Sequence, residues 1–180
     1  MPRRAVPLAL FVLLAAAGCA REATPTCPAA SAVSGRDAGV GAEVTRVLDA
    51  WHEAAARADE EAYFAAFAPG GVFLGTDAKE RWTVPEFRAY AHPHFAKGKA
   101  WTMRATRREI TFVGDAAWFD EDLDTARLGP ARGTGVLVKA EDGGWKIAQY
   151  NLSIPIPNER FAAVRALIDG AGSSEAPKPP

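Results

Sequence analysis

From residue 101 to residue 154, apolar and polar positions alternate with period two in four runs, 101–113, 116–125, 132–142 and 145–154. Such alternation describes strands with one face buried and the other wet, and short turn signals separate the runs. Gly114-Asp115 divides the first pair, a wider 127–131 loop with Gly129 and Pro130 the second, and Asp142-Gly143-Gly144 the third. The pattern predicts a four-strand antiparallel meander. A two-residue loop at the last hairpin places Thr134, Val136, Val138 and Ala140 on one face with Trp145, Ile147, Gln149 and Asn151.

The sequence before the meander changes period. Val44, Val47, Leu48, Trp51, Ala55 and Ala58 recur at spacings of three and four, the stripe of an amphipathic helix starting near Ala42. Asp59 can cap a second short helix over 60–68, which Pro69-Gly70-Gly71 ends. Val72 to Leu74 form a short strand. Thr83 followed by Glu86 is a capping box with Pro85 in the first turn, so a third helix runs from there and stops before Pro93. Beyond Pro155 and Pro157, Asn158 can cap a terminal helix over 158–170 with Phe161, Val164, Leu167 and Ile168 as its stripe; residues 171–180 form a disordered tail.

Residues 1–18 read as a signal peptide: Arg3 and Arg4, an apolar run of about a dozen residues, and a small-residue stretch ending at Cys19. That run is too short for a mature bilayer span. It resembles a lipobox, with Ala16 where Leu is usual, and implies lipidation of Cys19. Residues 19–41, rich in Pro, Ser, Gly and Ala, read as a tether. The expectation is export and lipid anchoring in a bacterial cell envelope, with a secreted or periplasmic protein as the alternative. Cys27 then has no partner within the chain.

Charge narrows the partners. The chain carries 21 basic and 22 acidic residues. Loss of Arg3 and Arg4 with the leader leaves 19 against 22, a net charge of −3. That balance argues against a nucleic-acid partner. The densest basic cluster, Arg104, Arg107 and Arg108, reads as an exposed sheet face able to pair across strands with Asp120, Glu121, Asp122 and Asp124. His52 reads as a partly exposed helix residue. His92 and His94 lack a third ligand nearby, so no metal and no cofactor is expected.

The order of elements, with residues 73–83 (FLGTDAKERWT), 85–91 (PEFRAYA), 118–122 (WFDED), 132–138 (RGTGVLV) and 145–158 (WKIAQYNLSIPIPN), resembles the SnoaL-like branch of the nuclear transport factor 2 (NTF2-like) superfamily. The resemblance covers 42–157. It implies an α+β fold: an NTF2-like cone of three N-terminal helices against a strongly curved mixed sheet that ends in the meander, with the C-terminal helix added. The superfamily holds isomerases, cyclases and dehydratases beside members without known catalysis, so fold does not give activity. The resemblance also implies a cavity between sheet and helices, with Asp77 and Trp82 at its rim and Tyr90, Trp118, Gln149 and Asn151 as further ligand-binding candidates. Asp120 and Glu121 are the catalytic candidates, since a general base needs a shielded carboxylate. The leading expectation is binding of a small, largely apolar ligand. Proton-transfer catalysis by a pocket carboxylate, and a homodimerisation module using the outer sheet face, are the alternatives.

Overall fold

A computed structural model describes residues 35–98 and 100–170. The expected signal peptide, Cys19, Cys27 and the tail from residue 171 lie outside these residues. Helix α1 (Gly35–Ala56) begins seven residues before the expected start. Its stripe of Val44, Leu48, Trp51 and Ala55 is buried. Ala58, at φ 56°, ends the run in a left-handed conformation. Asp59 then caps α2 (Glu60–Ala65), its carboxylate accepting the Ala62 N–H at 3.0 Å.

The chain leaves α2 earlier than expected. Strand β1 (Phe67–Leu74) takes in the Pro-Gly-Gly segment, because Phe67 and Ala68 are buried and the backbone there pairs with the last strand. A Cβ at Gly71 would stand 2.9 Å from the Ile147 carbonyl oxygen, so glycine is what permits this approach. After β2 (Arg81–Thr83), α3 spans Val84–Phe95 and runs through Pro93 instead of stopping before it. Little more than a turn is left beyond the bond that proline forfeits. Burial of Ala91 and Phe95 holds that turn.

Strands β3 (Met103–Val113), β4 (Ala116–Thr125), β5 (Gly129–Lys139) and β6 (Trp145–Ser153) make the meander. All six strands form one sheet in the order β2-β1-β6-β5-β4-β3, with β1 and β6 parallel and every other pair antiparallel. The strongly curved cone expected from the sequence is thereby corrected. The sheet is an open, mixed one, neither strongly curved nor closed. Its edges, three-residue β2 and long β3, do not pair with each other.

The final hairpin also departs from expectation. Lys139 pairs with Trp145 across a five-residue loop, one residue out of the predicted register. An extra residue at Ala148 then restores it, so that Val136 faces Gln149 and Thr134 faces Asn151. Trp145 and Ile147 therefore point into the core, while Gln149 and Asn151 point outward with Val136 and Thr134. The helices cover the inner face, where one cross-sheet row passes through Trp82, Phe73, Tyr150, Gly135, Phe119 and Ile110. A 3-10 turn (Asn158–Arg160) precedes α4 (Phe161–Ile168). The stripe of α4 is not packed away: Phe161, Leu167 and Ile168 are 61%, 65% and 71% exposed.

Candidate functional site

A cavity of about 500 Å³ lies between α3, the β1–β2 turn and the end of the sheet where β4 turns into β5. Its aromatic wall follows from the register. Phe73 of β1 pairs with Trp82 of β2, and both stack against Phe87, which α3 aims at the sheet one turn after its capping box. Phe73 and Phe87 lie 4.0 Å apart at 14°, Phe73 and Trp82 6.3 Å at 11°, and Phe87 and Trp101 6.0 Å at 20°. The rings are thus nearly parallel; Phe73 and Phe87 are buried within the stack, and the half-buried rings of Trp82 and Trp101 present its surface to the cavity. Met103, Leu128 and Leu152 are among the other apolar residues of the lining.

Polar side chains punctuate this wall, among them Glu80, His94, Thr125 and Arg127. Glu80 comes from the β1–β2 turn, where its carboxylate accepts the Asp77 N–H at 3.2 Å. His94 is on α3, one turn beyond Tyr90, with ring centroids 5.8 Å apart. Thr125 ends β4, and Arg127 follows in the turn to β5. A carboxylate and an imidazole among apolar walls are the usual means of proton transfer. Among the described residues no group of His, Cys, Asp or Glu could hold a metal ion.

A second polar cluster lies deeper, where α1 crosses the sheet. Glu121, 0% exposed, has both oxygens engaged. Oε1 accepts from His52 Nε2 at 2.8 Å and from the Tyr150 hydroxyl at 2.9 Å. Oε2 accepts from Arg108 Nε at 2.8 Å, with Nη2 at 2.7 Å. Arg108 Nη1 continues to Asp49 at 2.8 Å. Burial raises the Glu121 carboxyl pKa, but His52 and Arg108 outweigh it and hold the group below its ordinary value. The Tyr150 hydroxyl is pushed well up by burial and by the Glu121 charge beside it. An ionised carboxylate can only accept, so His52 presents its Nε2–H. Glu121 shares a cross-sheet row with Gly133 and Leu152. Leu152 lines the cavity, whereas Glu121 is two strands away, roughly 10 Å.

The structure separates the residues that sequence reasoning grouped. Trp82 and Tyr90 line the cavity. Asp77 does not; it is exposed in the adjoining turn, where its carboxylate accepts the Lys79 N–H at 2.8 Å. Trp118, Asp120, Gln149 and Asn151 lie on the outer sheet face, because strand parity opposes them to buried Phe119 and Tyr150. Trp118 is 51% exposed, and Asp120 pairs with Arg107 at 2.6 Å. Glu121 is on the inner face, within the ionic cluster. His52 is buried and the Arg108 side chain is 7% exposed, where a partly exposed helix position and an exposed sheet face were expected.

Glu80, His94, Thr125 and Arg127 were not singled out from the sequence as site residues. For His94 a signal existed: Phe87, Tyr90 and His94 follow one helical face once the helix is allowed to pass Pro93. His52 likewise continues the four-residue spacing of Val44 and Leu48.

Residues 44–157 match the SnoaL-like domain family. None of the curated proteins matches the chain. Solved structures share the fold at low identity. An NTF2-like protein of unknown function from Pseudomonas putida is 14% identical with a TM-score of 0.58, over 68% of this chain and 91% of that one. A candidate dehydratase of the NTF2-like family from Streptomyces avermitilis is 18% identical with a TM-score of 0.56, over 67% and 99%. A candidate ketosteroid isomerase from Shewanella frigidimarina is 22% identical with a TM-score of 0.50, over 64% and 98%. These likenesses concern the fold, one capable of holding a small ligand in its pocket.

Proposed function

The chain belongs to the SnoaL-like domain family, matched over residues 44–157, and on that premise we propose that it binds a small, flat, largely apolar molecule and moves a proton on it, as an isomerase or dehydratase does. The observation that carries this reading is the wall of near-parallel rings around a cavity that also holds Glu80 and His94. Burial of a flat body against Trp82 and Trp101, which Phe73 and Phe87 back, supplies affinity at about 25 cal/mol per Å² of apolar surface.

Glu80 is the pocket carboxylate in this reading, since Asp120 faces outward and Glu121 has its lone pairs occupied. It takes a proton from a carbon next to a carbonyl. The electron pair moves onto the carbonyl oxygen, to which His94 donates a hydrogen bond; as it returns, Glu80 gives its proton either to another carbon or to a β-hydroxyl that leaves as water. The names of the Streptomyces and Shewanella proteins favour this class of chemistry over simple binding.

Deuterium exchange tests it. In D2O, 2-tetralone, a flat bicyclic ketone with acidic α-hydrogens, is expected to exchange faster with the protein than in buffer, and at the buffer rate with Glu80→Gln. Exchange at the buffer rate with the unaltered protein, despite saturable binding, would remove the catalytic reading. Absence of binding by this and other flat probes would remove the ligand site.

A further inference from the structure

The polar groups of the cavity are not mutually neutralised. Arg127 stands in the three-residue turn between β4 and β5, and that turn is pinned. The buried Thr125 hydroxyl accepts the Leu128 N–H at 3.0 Å and donates to the Gly129 carbonyl at 2.9 Å. Gly129, at φ 71°, closes the turn in a conformation that side chains disfavour. The exposed Arg127 side chain thus lines the cavity from a fixed piece of backbone.

No carboxylate of the described residues pairs with it. The arginines of the adjoining strands are all engaged: Arg104 with Asp124, Arg107 with Asp120 and Asp122, Arg108 with Glu121, and Arg132 with Asp122. Asp124, the acidic residue nearest to Arg127 in sequence, is thus already occupied at 3.0 Å by Arg104. The cavity's own carboxylate, Glu80, belongs to the β1–β2 turn. Strands β1 and β4 are separated by β6 and β5, so the two turns stand about 14 Å apart along the sheet. At that distance, beside water, Glu80 leaves Arg127 unneutralised.

We infer that the ligand is a flat organic monoanion, its conjugated or fused-ring body against the aromatic wall and its single carboxylate, enolate or phenolate held by Arg127. This rests on the reading of the cavity as a ligand site. The planar fork of arginine matches a carboxylate with two parallel hydrogen bonds. Glu80 repels a second anionic group at the other side of the mouth, which restricts the ligand to one charge at one end.

The test uses two flat probes of equal shape, 2-naphthoate and neutral 2-naphthamide, titrated at neutral pH and low salt by quenching of tryptophan fluorescence, with calorimetry as the second measurement. The naphthoate is expected to bind about fivefold tighter than the amide. Arg127→Ala weakens the naphthoate far more than the amide and so removes that preference, Arg127→Lys restores part of it, and added salt narrows it. Equal affinities in the unaltered protein overturn the anion inference and leave the ligand site standing. A preference that survives Arg127→Ala overturns the inference as well. If neither probe binds, the ligand site itself fails, and this inference with it.

Discussion

The Glu121 carboxylate and the Tyr150 hydroxyl meet at 2.9 Å over Gly133, the one residue between their strands that leaves room for them. A Cβ at Gly133 would stand 2.2 Å from the Tyr150 oxygen and 2.8 Å from Glu121 Oε1. The glycine is thus fixed by what crosses it, not by its backbone angles. Tyr150 in turn lies 5.8 Å from Phe73 at 10°, which links the ionic cluster to the aromatic wall of the cavity.

Gly133→Ala is accordingly expected to cost about 2 kcal/mol, the range for overpacking a filled core. In a Tyr150→Phe background the added methyl meets one oxygen fewer, so its cost shrinks. Urea denaturation of the four proteins in this cycle measures the coupling. Strict additivity would show that the hydroxyl is not what excludes the methyl.

Glu121→Gln leaves Arg108 buried with only Asp49 as a charged partner. A cost of about 3 kcal/mol is expected, as for other buried pairs with one partner removed. Combining Glu121→Leu with Arg108→Met removes both charges together and recovers much of that loss. Thermal melts of the single and double variants decide it; a double variant less stable than either single would contradict the argument.

The same carboxylate predicts an acid limb. Glu121 is held below the usual glutamate value near 4.5, so the folded state keeps it ionised where the unfolded chain takes up a proton. Its contribution is fully present above the unfolded pKa and is lost as pH falls through the lower folded value. Glu60, held down by Arg88 and then His92, acts in the same direction. Urea midpoints should fall as the pH drops below about 4.5, and more shallowly in Glu121→Gln. Stability that rises on acidification in that window would refute this.

Phe87 is 2% exposed and stacks on Phe73, Trp82 and Trp101. Phe87→Ala should cost about 3 to 5 kcal/mol. Phe87→Leu, which keeps most of the volume, should cost far less while still weakening flat probes, because it removes a ring face and retains bulk. Equal effects of the two variants on probe affinity and on stability would show that the stack is only packing.

Helix α4 buries none of its side chains. A chain ending after Ile156 should therefore unfold within about 0.5 kcal/mol of the full chain, as exposed surface changes do. A larger loss in chemical denaturation would mean that the exposed stripe is covered in solution.

Sequence alone determined what depends on local chemistry. Period-two alternation located β4 to the residue, since neighbouring side chains on a strand must face opposite ways. The Asp59 cap and the capping box at Thr83 and Glu86 set the starts of α2 and α3, because free N–H groups there need acceptors within a few residues. Parity already placed Trp118 with Asp120 and opposed both to Glu121.

Tertiary structure decided which of those faces is inside, because that depends on where the helices pack. It decided the register of β6, where a five-residue loop and the extra residue at Ala148 offset each other in a way no local pattern shows. It also decided the partners of Glu121. His52 and Tyr150 are 69 and 29 positions away, and only the crossing of α1 over the sheet makes a helix histidine, a strand tyrosine and Arg108 the surroundings of one carboxylate. The cavity was settled in the same way. Glu80, His94 and Arg127 come from two turns and a helix that line one cavity only because β1 lies parallel beside β6 in the open sheet.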